Sequence, residues 1–158
     1  NLLWAANGVN RDKDGRTAPS AMGSNMIDIY AVTPEGIYLW HPLEFKLSLV
    51  AKGDFRETTT TTDQEFAMKA PLTFIYVAKF ENYYKKVESD KTPIDQLSVW
   101  AGIEAGHISQ NVYLACVNLG LGAVIRVSYN EEKLFETLKL RENTKIIAVH
   151  TIGVPKKK

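Results

Sequence analysis

Cysteine is nearly missing: Cys116 stands alone among 158 residues, so no intrachain disulfide can form and a reducing, cytoplasmic setting is expected. No apolar run approaches the roughly 18 residues of a membrane span, and no signal peptide is visible. Formal net charge is only +1, and the basic run at residues 156–158 is too short to make the clustered basic face of a nucleic-acid binder. The three histidines, His41, His107 and His150, have no metal-ligand spacing with Cys116 or with the acids. Gly-x-Ser-x-Gly and P-loop motifs are both lacking. Gly120-Leu121-Gly122 follows a helix rather than opening one and lacks a third glycine, which excludes a Rossmann fingerprint.

What remains is an ordinary globular composition, 45% hydrophobic and 23% charged, in a chain of one-domain size. Residues 1–6 read as the last turns of a helix whose start is absent, with Gly8 as its cap, so the N-terminal part of the domain is expected to be missing. Residues 10–23, rich in Asn, Asp, Gly and Pro, read as loop. Alternation predicts strands over residues 27–33, 37–40 and 46–50, separated by turns at residues 34–36 and 41–44. The threonine-rich stretch 55–62 disfavours helix, because β-branched side chains lose χ1 freedom there. Thr62 or Asp63 is placed to cap a short helix through Met68.

Residues 71–78 form a near-continuous apolar run, the pattern of a strand buried on both faces. Residues 80–93 are charged and polar and read as a mobile excursion. The strongest helical period runs over residues 97–119, through Leu97, Trp100, Ile103 or Glu104, Ile108, Val112, Ala115 and Leu119. Gly102 and Gly106 within it cost about 1 kcal/mol each, so a second helix is expected to approach closely there. A strand over residues 123–127, a helix over residues 131–138 capped by Asn130, and a last strand over residues 145–152 complete the chain.

Three stretches are candidates for chemistry. The first is the loop 16–25, with Arg16, Pro19, Ser20, Ala21, Gly23 and Asn25. Its short hydroxyl, amide and backbone groups are able to contact a bound ligand, and they equally suit an ordinary surface loop. Arg11 reads as a solvated charge; Arg16 reads equally as that or as a fork-like donor. The second is residues 120–127, where glycine permits a turn and close backbone approach, or simply caps the helix. The third is Lys156 to Lys158, ammonium groups able to hold a phosphate or to form a solvated tail. Cys116 and His150 read as core residues, His107 as packed or partly exposed, and Trp4, Trp40 and Trp100 as packing residues, any one of which is also suited to line a ligand pocket.

These stretches, in this order, resemble the FMN-dependent nitroreductase family, and Leu3-Trp4-Ala5-Ala6-x-Gly8-x-Asn10-Arg11 followed by Arg16-Thr17-Ala18-Pro19-Ser20-Ala21 resembles its SagB-type dehydrogenase branch. The resemblance implies an α+β fold, a central mostly antiparallel sheet flanked by helices, in an intertwined homodimer with the long helix in the interface. It implies FMN as cofactor, NAD(P)H as electron donor, a ping-pong hydride transfer and an oxidised small-molecule acceptor such as a nitroaromatic or quinone. It places Arg16, Pro19, Ser20, Ala21, Gly23 and Asn25 against the flavin from the neighbouring subunit, the backbone of Ala123, Val124 and Arg126 near its reactive nitrogen, and Lys156 and Lys158 on its phosphate. No side chain is assigned as a catalytic acid or base. The family's Arg-Ser-x-Arg phosphate clamp would lie ahead of Asn1. The alternatives are a non-catalytic dimeric flavin- or small-ligand-binding module of the same fold, and a purely structural interaction domain.

Overall fold

The computed structural model describes residues 1–61, 64–88 and 91–156. A short helix, α1 (Leu2–Asn7), leads into a two-stranded ribbon, β1 (Val9–Arg11) and β2 (Gly15–Arg16). The ribbon corrects the expectation of a featureless loop: Lys13 and Asp14 take positive φ angles of 56° and 58° and reverse the chain tightly enough for the flanking residues to pair. Then follow β3 (Ile27–Thr33), β4 (Gly36–His41), β5 (Lys46–Lys52), α2 (Glu65–Lys69), β6 (Leu72–Lys79), α3 (Phe80–Val87), α4 (Ile94–Asn118), β7 (Gly122–Arg126), α5 (Glu131–Thr137) and β8 (Thr144–Gly153).

Six strands form one sheet in the order β5-β4-β3-β6-β8-β7, every neighbouring pair antiparallel. The fold is thus the expected α+β arrangement of an antiparallel sheet flanked by helices. Alternation divides the central strands between two cores. Ile27, Ile29, Phe74, Tyr76, Ala148 and Ile152 face α1 and α4, meeting Ala6, Leu97, Ala101, Ala105, Ile108, Val112 and Cys116. Tyr30, Val32, Ile75, Val77, Ile146 and Val149 face the other way and are covered by Leu134 and Leu138 of the α5 region. Both faces of β6 are therefore buried, which is why its sequence shows a continuous apolar run instead of alternation.

Two further expectations are corrected. Residues 80–87 form α3 rather than an irregular excursion: Phe80 and Tyr83, one helical turn apart, are buried, and Tyr83 packs on Trp100 of α4 with ring centroids 5.5 Å apart. Within α4, Glu104 and not Ile103 occupies the buried phase; Glu104 is 2% exposed and Ile103 55%. The helix also starts three residues before the expected Leu97, with Pro93 ahead of its first turn. The candidate caps Thr62 and Asp63 lie outside the described residues; α2 itself is preceded by Gln64. The threonine stretch forms one turn of 3₁₀ helix over Arg56–Thr59, its buried hydroxyls donating to the backbone oxygens of Phe55 and Arg56 at 2.7 Å each. Asn130 does cap α5, accepting from the Lys133 N–H at 3.1 Å.

Gly102 and Gly106 face open space, with nothing within 4 Å of an added Cβ. They lie on the side of α4 that also exposes Val99, Ile103, Leu114 and Val117. The closely approaching helix expected from the glycines is therefore not supplied by the described residues of this chain. No helix among them is long and apolar enough to cross a membrane.

Candidate functional site

Of the sequence-predicted site residues, Pro19, Ser20 and Ala21 line one cavity and Ala123, Val124 and Lys156 another, and the two share no lining residue.

The first cavity, about 280 Å³, lies between the loop after β2 and α4 and is lined by Pro19, Ser20, Ala21, Trp100, Ile103, Glu104 and His107. The loop is built by its own polar groups. Ser20 Oγ accepts the Asn25 N–H at 2.9 Å and lies 3.4 Å from Asn25 Oδ1, so the serine hydroxyl closes the loop from Ser20 to Asn25. Met22, Gly23 and Asn25 all take left-handed φ angles, of 53°, 66° and 49°. Such a conformation is natural for glycine, tolerated by asparagine and strained for methionine. Asn82 of α3 donates to the Asn25 backbone oxygen at 3.0 Å and ties the loop to the body.

Glu104 anchors the end of this loop from below. Its two carboxylate oxygens accept the N–H groups of Met26, at 3.2 Å, and Ile27, at 3.1 Å, where the chain enters β3. Burial pushes its carboxyl up to about 7, outweighing the two backbone N–H bonds and the charge of Arg16, which favour ionisation. Arg16 reaches back to the Asn7 carbonyl at 3.3 Å, while its Nε is buried without a partner. Burial lowers the Arg16 pKa, opposed by the nearby charges of Asp14, Asp28 and Glu104. Asp28 is in turn paired with Lys79. The base of the loop is thus a compact set of two cations and two acids under an apolar rim.

The second cavity, about 690 Å³, lies at the β7 edge of the sheet and is lined by Gly122, Ala123, Val124, Thr151, residues 153–156 and the face of α2 that carries Glu65, Phe66 and Lys69. β7 is an edge strand with β8 on one side only, so alternate main-chain groups along it are turned outward. Val124 is 38% exposed there. Lys156 stands at one wall and Lys69 at the other, Lys69 paired with Glu65 at 3.0 Å.

Arg126 does not offer its guanidinium to this cavity. The group is buried behind the wall, donating to Gln64 Oε1 at 2.7 Å, Thr151 Oγ1 at 2.7 Å, Thr59 O at 3.0 Å and Ser128 O at 3.1 Å, and it lies 5.8 Å from the Phe66 ring centre. Its role is to fasten α2 and the 3₁₀ turn to the sheet edge. Lys158 lies outside the described residues. Among those described, no group of three or more His, Cys, Asp or Glu is placed to hold a metal ion.

The remaining reactive side chains are core residues. Cys116 is buried, and burial raises its thiol pKa. His150 is fully buried, with Nδ1 at 2.9 Å from Tyr76 Oη, and burial lowers its pKa to about 4. His107 is exposed on α4 at the rim of the loop cavity.

Sequence reasoning allowed one of the three tryptophans to line a pocket, and Trp100 does so at the first cavity; it missed Glu104 and His107 there and Phe66 and Lys69 at the second. Only Glu104 left a signal, an acid in phase with the apolar stripe of a helix. The second cavity suits FMN by its donor set: outward main-chain groups of a strand edge, apolar walls for a planar ring, and an ammonium for a phosphate.

A model of the nitroreductase family, so described, matches residues 1–154. A Methanocaldococcus jannaschii protein named as a candidate nitroreductase is 27% identical over 149 residues, covering 89% of this chain and 72% of its own. A crystal structure of a candidate nitroreductase from Ralstonia eutropha superposes with a TM-score of 0.86 at 36% identity, over 99% of this chain and 71% of that one. The Vibrio harveyi NADPH:FMN oxidoreductase, solved in complex with NAD+, shares the fold with a TM-score of 0.65 at 16% identity, over 89% of this chain and 55% of its own.

Proposed function

Because the chain belongs to the nitroreductase family, we propose that it is an FMN-dependent oxidoreductase that takes electrons from NAD(P)H and passes them to an oxidised organic acceptor such as a nitroaromatic or quinone. The observation that carries this reading is the edge cavity, where Ala123, Val124 and Lys156 line one largely apolar space. When bound, FMN supplies reversible two-electron chemistry, so the protein's work is binding, orientation and exclusion of water. The outward backbone of Ala123 and the exposed Val124 meet the ring, and Lys156, with Lys158, holds the phosphate.

The reading includes a homodimer, as is common in the family. The two halves of the site lie in separate cavities within one chain, so a second copy is needed to bring a Pro19–Ser20–Ala21 loop to a β7 edge. The exposed face of α4, with Val99, Ile103, Leu114 and Val117 around the open Gly102 and Gly106, supports that pairing. In the dimer the loop contributes a shaped apolar surface from Pro19 to Ala21, held by Ser20, Gly23 and Asn25 and underpinned by Arg16. The residues quoted for the SagB-type branch make it the preferred subgroup, and there the flavin oxidises a peptide heterocycle. A cytoplasmic setting, where NAD(P)H is available and the thiol of Cys116 stays reduced, goes with this function.

The test is the visible absorption of the purified protein with added FMN. A flavin spectrum that bleaches anaerobically with NAD(P)H is expected. Tight FMN binding without bleaching would favour the non-catalytic binding module, and no uptake of FMN would end the flavin reading. A monomeric mass at working concentration would refute the dimer.

A further inference from the structure

We propose that Tyr113 is a positioning residue of the flavin site, holding the outer edge of β7 in the shape the cofactor meets. The inference rests on the FMN reading and adds a residue that does not line the cavity.

β7 has β8 on one side and, among the described residues, no strand on the other. Outward amides of such an edge are ordinarily left to water or to a ligand. The Ile125 N–H is instead taken by a side chain from another element: Tyr113 of α4 accepts it on Oη at 2.8 Å. Backbone groups along a strand alternate in direction, so Ala123, two residues earlier, shares the outward phase of Ile125. Ala123 lines the cavity. The clamp therefore lies one strand period from the amide that faces the ligand, and it fixes the strand there without occupying the site.

The clamp is itself braced. The Tyr113 ring lies 4.7 Å from the ring of His150, at an interplanar angle of 51°. His150 stands opposite Ile125 in the β7–β8 register and is fully buried. Its Nδ1 is fixed by Tyr76 Oη at 2.9 Å, and Tyr76 is a fully buried residue of β6. A continuous chain of contacts thus runs from the middle of the sheet, through Tyr76, His150 and Tyr113, to the edge amide of Ile125. A site donor works only when its support holds it within a few tenths of an ångström, and this chain is such a support. Neither Tyr113 nor His150 contacts the cavity, so loss of the Tyr113 hydroxyl acts only through the backbone of β7.

The experiment is Tyr113→Phe, which keeps the ring stack and removes the acceptor. Tyr129→Phe is the control: Tyr129 Oη donates to the Ile146 carbonyl at 2.9 Å in the opposite core, so its loss is structural only. Three quantities are read on the full chain: the unfolding midpoint, the exchange rates of the Ile125 and Ala123 amides, and FMN affinity by flavin fluorescence. Tyr113→Phe is expected to speed Ile125 exchange and to weaken FMN binding about tenfold, the worth of one well-placed hydrogen bond. Tyr129→Phe is expected to leave FMN affinity unchanged whatever it does to the midpoint. Parental FMN affinity in Tyr113→Phe overturns the assignment, as does an equal loss in both variants, which would mark a general structural effect. If the parent protein binds no FMN, the flavin reading falls first and the role of Tyr113 falls with it.

Discussion

Glu104→Gln separates burial from hydrogen bonding at the base of the loop. The parent carboxyl is 2% exposed, and both of its oxygens accept backbone N–H groups, from Met26 and Ile27. The charged groups facing it are Arg16 and, through Arg16 and Lys79, Asp28. Those N–H bonds and the Arg16 charge favour the carboxylate, burial favours the acid, and burial prevails, raising the pKa from 4.5 to about 7. An acid raised in the folded state holds its proton where the unfolded chain has lost it. The native state then binds more protons, and stability falls as pH rises from 4.5 to about 7. At about 1.4 kcal/mol per pH unit, that interval corresponds to a loss of about 3 kcal/mol.

Glutamine keeps one acceptor, but its NH₂ turns a donor toward the other of the two backbone N–H groups, of Met26 and Ile27. The variant should therefore be less stable than the parent near pH 4, by about 1–3 kcal/mol for the unpaired N–H, and should gain about 3 kcal/mol relative to the parent as pH rises to 8. Urea unfolding of both proteins, followed by tryptophan fluorescence across that range, gives the difference curve. Subtraction cancels other titrating groups, including His150, whose lowered pKa makes stability rise with pH between about 4 and 6.5. A flat difference curve would refute the dominance of burial, and a difference that moves toward the parent as pH rises would show that the N–H bonds prevail.

Three shorter predictions follow from single contacts. Arg126→Met removes a guanidinium that makes four hydrogen bonds to residues 59, 64, 128 and 151; a loss of about 3 kcal/mol or more is expected in denaturant unfolding, and Arg126→Lys should recover little of it, because one ammonium cannot span both arms of the fork. Asn130→Ala removes the cap on the Lys133 N–H and should cost about 1 kcal/mol, read as a lowered unfolding midpoint. The His150 imidazole should stay neutral from neutral pH down to about 4, which NMR of the ring nitrogens reports directly; titration near 6.5 would contradict its burial.

Much of the architecture is written locally. Residues 27–33 alternate because one face of β3 meets α4 and the other meets the α5 layer, and residues 71–78 are apolar throughout because β6 is buried on both sides. The long helix and the cap on α5 announce themselves by period and by a single asparagine. Where the reading failed, the deciding contact lay elsewhere in the chain. The polar look of residues 80–87 conceals Phe80 and Tyr83, which become core residues only once α4 supplies a surface to pack on. The period of α4 admitted either Ile103 or Glu104 on its buried side, and the choice fell to Glu104 because two loop amides, 78 and 77 residues away in sequence, needed an acceptor.

By itself, then, the sequence determined the order of elements, the buried strands and the helix that carries the open face, since these depend on periodicity and capping over a few neighbouring residues. Its resemblance to a family named the loop at Pro19–Ala21, the backbone at Ala123–Val124 and the terminal lysines. Tertiary structure alone decided that the loop at Pro19–Ala21 lies in one cavity and Ala123, Val124 and Lys156 in another, that Arg126 turns inward as a strut, and that Tyr113 reaches across to hold a strand edge. The physical reason is range. Helix and strand propensities act over a few residues, whereas a cavity and an edge clamp are assembled by strand order and helix packing, which bring together groups that have no local relation in the chain.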